Sequence, residues 1–214
     1  NILVGDSMLN RKISEYLDNW RLKSKKKSLV VEGPRQVGKT FIIDDFIKRN
    51  YDEKYVFYID FKVYPSIGHV FNRGFYTDRI YKEVNIRFPN KILEEGKSIL
   101  FFDNIQLFPK VIETLRYFTE DLKYDVVCAG TNLGVIYKKM NKFPVGYIDR
   151  VHLNSLDFAE FVWANGYSEA QLQDMIDLST KKEYEYSVYN DVFVDLFKEY
   201  MAIGGMPKVV NQYV

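Results

Sequence analysis

The segment Gly33–Thr40 reads Gly-Pro-Arg-Gln-Val-Gly-Lys-Thr and fills every position of the pattern G-x-x-x-x-G-K-[ST]. Its glycines let backbone N–H groups curl around phosphate oxygens, and the start of a following helix adds partial positive charge. Lys39 can then reach the β- and γ-phosphates of a nucleotide, and Thr40 can ligate Mg²⁺. We therefore predict a nucleotide-binding loop that consists of Gly33, Pro34, Arg35, Gln36, Val37, Gly38, Lys39, Thr40 and Phe41.

Asp103 ends the apolar segment Ile99–Asp103, which predicts a buried strand. A carboxylate at the end of a parallel strand would hold Mg²⁺ through water. The next residue is Asn104, where a hydrolytic enzyme with this loop commonly has a glutamate that polarises the attacking water. An amide can orient water but cannot accept its proton. Three interpretations stay open: hydrolysis is slow, another group activates the water, or the residue was changed to trap bound ATP.

Thr131 and Asn132 follow the apolar segment Tyr124–Ala129. In sheets of this type, the strand after the acidic one lies beside the strand that leads into the phosphate loop. Thr131 or Asn132 would then face the γ-phosphate as a polar sensor and take part in catalysis with Lys39, Asp103 and Asn104. The alternative is an ordinary turn or helix N-cap, a position that both residue types favour.

Other polar side chains give weaker signals. Arg35 can contact phosphate, a partner or only solvent. Arg150 could stabilise charge in catalysis, but an exposed strand arginine is the favoured interpretation. His69 and His152 have no nearby ligand set, which favours core or surface roles over metal binding. Cys128, the one cysteine, excludes an internal disulfide and a cysteine-based zinc site, and we expect it to be inert packing.

The elements around these residues alternate between strand and helix. The predicted strands are Ser28–Glu32, Tyr55–Asp60, Ile99–Asp103, Tyr124–Ala129 and Tyr147–Leu153. The predicted helices before the last strand are one with Leu9, Ile13, Leu17 and Trp20 on one face, Phe41–Arg49, Thr77–Arg87, and one that begins at Pro109 and carries Val111, Leu115, Phe118 and Leu122 inward. This alternation predicts an α/β fold of the P-loop NTPase type, with a five-stranded, mostly parallel sheet flanked by helices.

The sequence after the fifth predicted strand indicates helices only. Asp157 with Glu160 and Ser168 with Gln171 are capping patterns, residues 179–190 resemble a polar loop that ends in a helix cap at Asn190, and Pro207 begins a last helix. We expect an N-terminal helix and basic linker at 1–27, an ATPase core at 28–165, and a helical lid at 166–214 that continues into a missing C-terminal domain.

Composition narrows the function classes. The 214 residues contain 30 Lys and Arg against 29 Asp and Glu, so any contact with nucleic acid or an anionic membrane needs a local patch. The run Lys23–Lys27 is interpreted as a solvent-facing exit of the first helix rather than a nucleic-acid site. No apolar run is long enough to span a membrane and no secretory leader is visible, so we expect a cytoplasmic protein. Met8 is a plausible initiator.

The sequence resembles the prokaryotic AAA-type P-loop ATPases that precede an uncharacterised, nuclease-like C-terminal domain. The matching segments are Arg11–Ile13, GPRQVGKT at 33–40, ILFFDNIQ at 99–106, YDVVCAGTNLGV at 124–135, FPVGY at 143–147, LDFAEFVWANG at 156–166 and YMAIGGMPKVV at 200–210. The resemblance implies an ATP- and Mg²⁺-binding core with Lys39, Thr40 and Asp103 in the usual roles. It also implies that Thr131 and Asn132 stand where the family often has a serine pair.

Two positions depart from that family. It usually has Asp-Glu-Ile-Gln where this chain has Asp103-Asn104-Ile105-Gln106, and many members have Gly-Arg where this chain has Gly146-Tyr147. Both losses concern hydrolysis rather than nucleotide binding.

Two functions from different classes follow. The first is an ATPase module that binds Mg·ATP, hydrolyses it slowly or normally, and moves the helical lid and the attached C-terminal domain. The second is a nucleotide-gated binding module with little hydrolysis, because Asn104 replaces the glutamate. A kinase of a small acceptor is disfavoured, since no acceptor pocket or general base is visible. The expected partners are ATP or ADP, the C-terminal domain beyond Val214, and a nucleic acid or protein bound through that domain. An oligomer is compatible with the sequence. Association with a membrane is not expected.

Overall fold

The computed structural model describes residues 9–74, 76–180 and 188–214. Met8 and the larger part of the predicted polar loop at 179–190 lie outside the described residues. The chain forms two compact units, Glu15–Leu153 and the combination of Asn1–Ser14 with Asn154–Val214. We call these the sheet unit and the helical unit. The segment 154–165 groups with the helical unit, whereas the sequence-based division at 165 placed it with the ATPase core.

The sheet unit is built on five parallel strands. They are β1 (Ser28–Glu32), β2 (Val56–Asp60), β3 (Ile99–Asp103), β4 (Asp125–Gly130) and β5 (Ile148–His152). Their order in the sheet is β2-β3-β4-β1-β5, and every neighbouring pair is parallel. The predicted α/β fold with a five-stranded sheet is confirmed, as is the insertion of β4 between β3 and β1. The central strands are almost wholly buried, as expected for Val-, Leu- and Phe-rich strands covered on both faces.

Helices flank this sheet. In the sheet unit they are α2 (Lys39–Asn50), α3 (Pro65–Val70), α4 (Thr77–Arg87), α5 (Lys110–Asp121) and α6 (Leu133–Lys139), and α1 (Lys12–Arg21) contributes residues to both units. Phe57, Phe102, Val111 and Phe118 belong to one large core cluster. Ile13, Leu17 and Trp20 of α1 are buried as predicted.

The helical unit contains α7 (Phe158–Ala164), α8 (Glu169–Thr180), α9 (Val188–Ile203) and α10 (Pro207–Tyr213). The predicted capping box is confirmed, because the Asp157 carboxylate accepts from Glu160 N and the Glu160 carboxylate accepts from Asp157 N. Glu160 also pairs with Arg11 at 3.1 Å, with side chains only 7% and 6% exposed. Leu156, Phe161, Leu172 and Val210 are part of this unit's own core.

Several local expectations are wrong. Pro109 immediately precedes α5 rather than forming its first residue. Leu122, predicted to face inward, follows the last residue of α5 in the left-handed conformation and is 52% exposed. Asn190 lies within α9 instead of capping it, and α8 continues to Thr180. Periodicity did not reveal α3 or α6, because these short helices do not fill the window over which a helical period can be recognised. Among the described residues, no helix is both long and apolar enough to cross a membrane.

Candidate nucleotide-binding site

The loop at residues 33–40 leaves β1 and enters α2 directly, so the strand-loop-helix context is the one that the motif requires. Gly38 and Gln36 have φ of 91° and 66°, in the left-handed region. A Cβ on Gly33 would overlap the carbonyl oxygen of Leu153, which follows β5. Glycine at 33 and 38 therefore allows the backbone to turn tightly beside the neighbouring strand.

Lys39 lies inside the turn of this loop. Its side chain is largely buried, and Nζ donates to the carbonyl oxygen of Gly33 at 3.0 Å and to that of Pro34. Burial lowers the pKa of the Lys39 ammonium, and the nearby charge of Asp103 partly opposes that shift. A cation at this place is a ready counter-charge for a phosphate group.

Thr40 and Asp103 meet at the carboxyl end of the sheet. Thr40 Oγ1 donates to Asp103 Oδ2 at 2.7 Å, and the backbone N–H of Asn104 donates to Asp103 Oδ1 at 2.7 Å. Tyr58 OH is a weaker donor to Oδ2 at 3.3 Å. Burial raises the pKa of the Asp103 carboxyl, and the hydrogen bonds from Thr40 and Asn104 oppose the rise.

Thr40 Oγ1 and Asp103 Oδ2 fit a Mg²⁺ site in which the bound nucleotide and water supply the remaining ligands of the cation. The Thr40 hydroxyl uses its proton on Asp103 and keeps its lone pairs for a cation, while Asp103 can accept hydrogen bonds from water on that cation. Within the described residues, no group of three or more His, Cys, Asp and Glu side chains could hold a metal alone. Mg²⁺ usually takes only one or two protein oxygens and completes its shell with water and phosphate.

A chain of hydrogen bonds links the ends of β2, β3 and β4. Asn104, in the left-handed conformation, donates from Nδ2 to Asp60 Oδ1 at 2.8 Å. Its Oδ1 accepts from Gln106 Nε2 at 3.1 Å, and Gln106 Oε1 accepts from the backbone N–H of Thr131 at 3.1 Å. We call Asp60, Asn104, Gln106 and Thr131 the edge network. Parallel pairing makes it possible, because Asp60 is the register partner of Asp103.

The other predicted site residues surround this edge. Thr131 is half-buried, whereas Asn132 is exposed, adopts the left-handed conformation and precedes α6 without a side-chain cap bond. Arg35 is exposed and Phe41 is 53% exposed. The remaining members of the loop are Pro34 and Gln36, both exposed, and Val37, which is buried.

The weaker candidates lie apart from a common site. Arg150 is exposed, as favoured, and its guanidinium stands over the rings of Tyr137 and Phe143, each at 5.3 Å. His69 is exposed beside the Phe108 ring, and His152 is exposed at the end of β5. Cys128 is buried, and burial raises the pKa of its thiol, which keeps it in the unreactive form.

The basic run is only partly free in solvent. Lys23 pairs with Asp149 at 2.9 Å, and Lys26 pairs with Asp125 at 2.7 Å. These contacts neutralise part of the local positive charge, so the run is a poor basis for a nucleic-acid site.

Three polar residues at this edge were missed by the sequence analysis: Tyr58, Asp60 and Gln106. Asp60 carried a usable signal, because it is a carboxylate at the end of a predicted strand. Nothing in the sequence indicated that β2 is the neighbour of β3, and only that neighbourhood brings Tyr58 and Asp60 to Asp103 and Asn104.

Residues 25–162 match the family model described as AAA domain. The chain belongs to the AAA domain family. AAA domains are P-loop ATPase modules, so the membership supports nucleotide binding at the loop described above. Comparison with curated protein sequences gives no match. Among solved structures, the chain is similar to C. elegans PCH-2, with a TM-score of 0.46 and 9% sequence identity. That alignment covers 98% of this chain and 62% of the other, so the chain spans less than two thirds of that relative.

Proposed function

We propose that this AAA domain binds Mg·ATP at residues 33–41 and hydrolyses it. The observation that carries the proposal is the 2.7 Å hydrogen bond between Thr40 and Asp103 beside the buried Lys39, at the carboxyl edge of the sheet. A phosphate-binding loop, a cation and two hard oxygen atoms at one place are the parts that phosphoryl transfer needs.

The roles follow from position. The backbone N–H groups of residues 33–38 cradle the phosphates, and Lys39 contacts the β- and γ-phosphates. Thr40 ligates Mg²⁺, and Asp103 holds the cation's water. Thr131 and Asn132 sense the γ-phosphate, with Thr131 coupled to Asn104 through Gln106. Arg35 and Phe41 flank the bound nucleotide.

Calorimetry with Mg·ATP and Mg·ADP tests the binding. The protein should bind both at sub-millimolar concentrations, and Lys39→Met should weaken ATP binding at least tenfold, because it removes the buried charge that contacts phosphate. Lys48→Met on the exposed face of the same helix is the matched control and should bind normally. Absence of binding by the unmodified protein would refute the proposal.

A second candidate is a nucleotide-gated binding module with little turnover, which Asn104 favours. Under this function Asn104→Glu should raise multiple-turnover phosphate release at least about tenfold, since it supplies a carboxylate that can take a proton. Unchanged turnover in the variant, with clear turnover in the unmodified protein, would instead mean that the water is activated elsewhere.

The proposal also covers the wider molecule. The resemblance to prokaryotic members favours a cytoplasmic ATPase that acts on an attached, nuclease-like domain beyond Val214, with a nucleic acid or protein partner bound there. The proposed division is an N-terminal helix and basic linker at 1–27, an ATPase core at 28–165 and a helical lid at 166–214. The nucleotide state of the core would move the lid. An oligomer is compatible with an AAA domain. Sequencing the complete reading frame tests the attached domain directly.

A further inference from the structure

Asn104 occupies the position at which the resembling family has a glutamate, yet its amide is committed to the protein. Nδ2 donates to Asp60 Oδ1 at 2.8 Å, and Oδ1 accepts from Gln106 Nε2 at 3.1 Å. These two bonds set the orientation of the amide. An amide in that role fixes a neighbour and cannot take a proton from water.

The neighbour that it fixes is a carboxylate. Asp60 ends β2, is half-buried, and stands in register with Asp103. Its Oδ1 accepts from Asn104 Nδ2 and from the backbone N–H of Lys62 at 2.9 Å. Within the described part of the chain, no hydrogen bond reaches Oδ2. Two hydrogen bonds to Oδ1 thus hold the Asp60 carboxylate, and Oδ2 can accept a hydrogen bond from a water molecule.

The remaining groups at this edge are occupied in other ways. Asp103 accepts from Thr40, Asn104 N and Tyr58. The Tyr58 phenol is a donor, because burial and the nearby Asp103 raise its pKa and keep it protonated. Asp60 is therefore a carboxylate at the same edge of the sheet as Thr40 and Asp103, and its Oδ2 can accept a hydrogen bond from water.

We propose that Asp60, positioned by Asn104, is the group that activates the attacking water, in place of a glutamate at 104. This rests on the proposed ATPase function. Oδ2 of Asp60 accepts the hydrogen bond of the water and then its proton. The water oxygen forms a bond to the γ-phosphorus, and the bond from that phosphorus to the β–γ bridging oxygen breaks. The products are ADP and inorganic phosphate, and Asp60 returns the proton to solvent.

A carboxylate exchange between the two positions tests the assignment. Asp60→Asn keeps the size of the side chain and an acceptor for Lys62 N, so turnover should fall at least about 100-fold while Mg·ADP affinity changes less than about threefold. Adding Asn104→Glu to Asp60→Asn returns a carboxylate to the same hydrogen-bonded pair. The double variant should therefore turn over at least tenfold faster than Asp60→Asn. Asp52→Asn is the control, because Asp52 is exposed and precedes the opposite end of β2.

Single-turnover phosphate release and calorimetry are measured for the wild type and all three variants, and thermal unfolding verifies that each is folded. Asp60→Asn turnover within about threefold of wild type overturns the assignment and leaves the ATPase proposal intact. A loss that Asn104→Glu does not recover also overturns it, because a proton-accepting role requires recovery. No phosphate release by wild type overturns the ATPase proposal and the assignment with it, whereas the binding measurement stands separately.

Discussion

The individual side chains of the candidate site are held by burial as much as by hydrogen bonds. Lys39 and Asp103 are both largely buried, and desolvation disfavours the charge of each. Such groups cost folding free energy that a bound phosphate or cation can offset, since each ligand restores the missing counter-charge. Binding of Mg·nucleotide, as proposed, would recover part of this cost.

The buried carboxyl of Asp103 makes a pH prediction. Because burial raises its pKa, the folded state binds this proton more tightly than the unfolded state does. The stabilisation is present below the unfolded pKa, about 3.9, and is lost as the pH rises through the folded pKa. Asp103→Asn removes the loss of stability that deprotonation of Asp103 causes in the wild type. The unfolding free energy of Asp103→Asn minus that of the wild type should therefore increase with pH.

Urea unfolding between pH 4 and pH 8, without nucleotide or Mg²⁺, measures this difference. The two proteins share every other titratable group, so the subtraction removes the contribution of all groups that do not interact with position 103. A difference that stays flat or falls as the pH rises would contradict the prediction.

At the scale of elements, the site depends on where strands end and on how closely the backbone can turn. Four of its parts lie at or directly after the carboxyl ends of parallel strands: the loop after β1, Asp60, Asp103 and Thr131. Parallel pairing puts these ends at one edge, which is where ligands bind in open α/β sheets. The Gly33 turn must also pass the carbonyl of Leu153 after β5.

Gly33→Ala should destabilise the protein by at least about 2 kcal/mol, because the new Cβ overlaps the Leu153 carbonyl and backbone must shift. Gly134→Ala is the matched control. Its Cβ meets nothing and it lies within α6, so it should be neutral or stabilise by up to about 1 kcal/mol. Urea unfolding of both variants gives the comparison. Equal effects at the two positions would show that the contact at Gly33 is not restrictive.

The whole molecule combines two units, each with its own apolar core. The candidate nucleotide site is built entirely from residues of the sheet unit, Glu15–Leu153. In the helical unit, the buried Arg11–Glu160 pair and the capping box at Asp157 hold the start of α7. Loss of one partner from a buried pair is strongly destabilising, so this arrangement is structural.

Nucleotide should stabilise the folded chain as a whole, because it binds the folded state and not the unfolded one. At 100 times its dissociation constant, Mg·ADP adds about 2.7 kcal/mol. For a chain of this size that corresponds to a rise in unfolding temperature of about 5–10 °C. Differential scanning calorimetry with and without Mg·ADP checks it. The shift should shrink with a chelator, and in Lys39→Met a tenfold weaker affinity should reduce it to about half. An undiminished shift in that variant would place the nucleotide elsewhere.

The sequence by itself determined the strand, loop and helix around residues 33–40, all five strands to within one residue at either end, and the capping box of α7. These features are local: a motif of adjacent residues, a short β-branched and aromatic run, and a cap three residues from its partner. It also placed Asp103 at a strand end and identified Asn104 as unusual. Within residues 61–96 it predicted only the helix Thr77–Arg87, which the structure confirms as α4, and it did not reveal α3, which has only six residues.

Only the tertiary structure decided that β2 lies beside β3 and that β5 lies beside β1. The order β2-β3-β4-β1-β5 brings Asp60 to Asn104, and it brings Gln106 to Thr131, across gaps in sequence that no local pattern spans. Strand order results from how the connecting helices pack on the sheet, and that depends on the whole core rather than on any one segment. The sequence therefore located the candidate nucleotide site, and the fold placed the Asp60 carboxylate beside it.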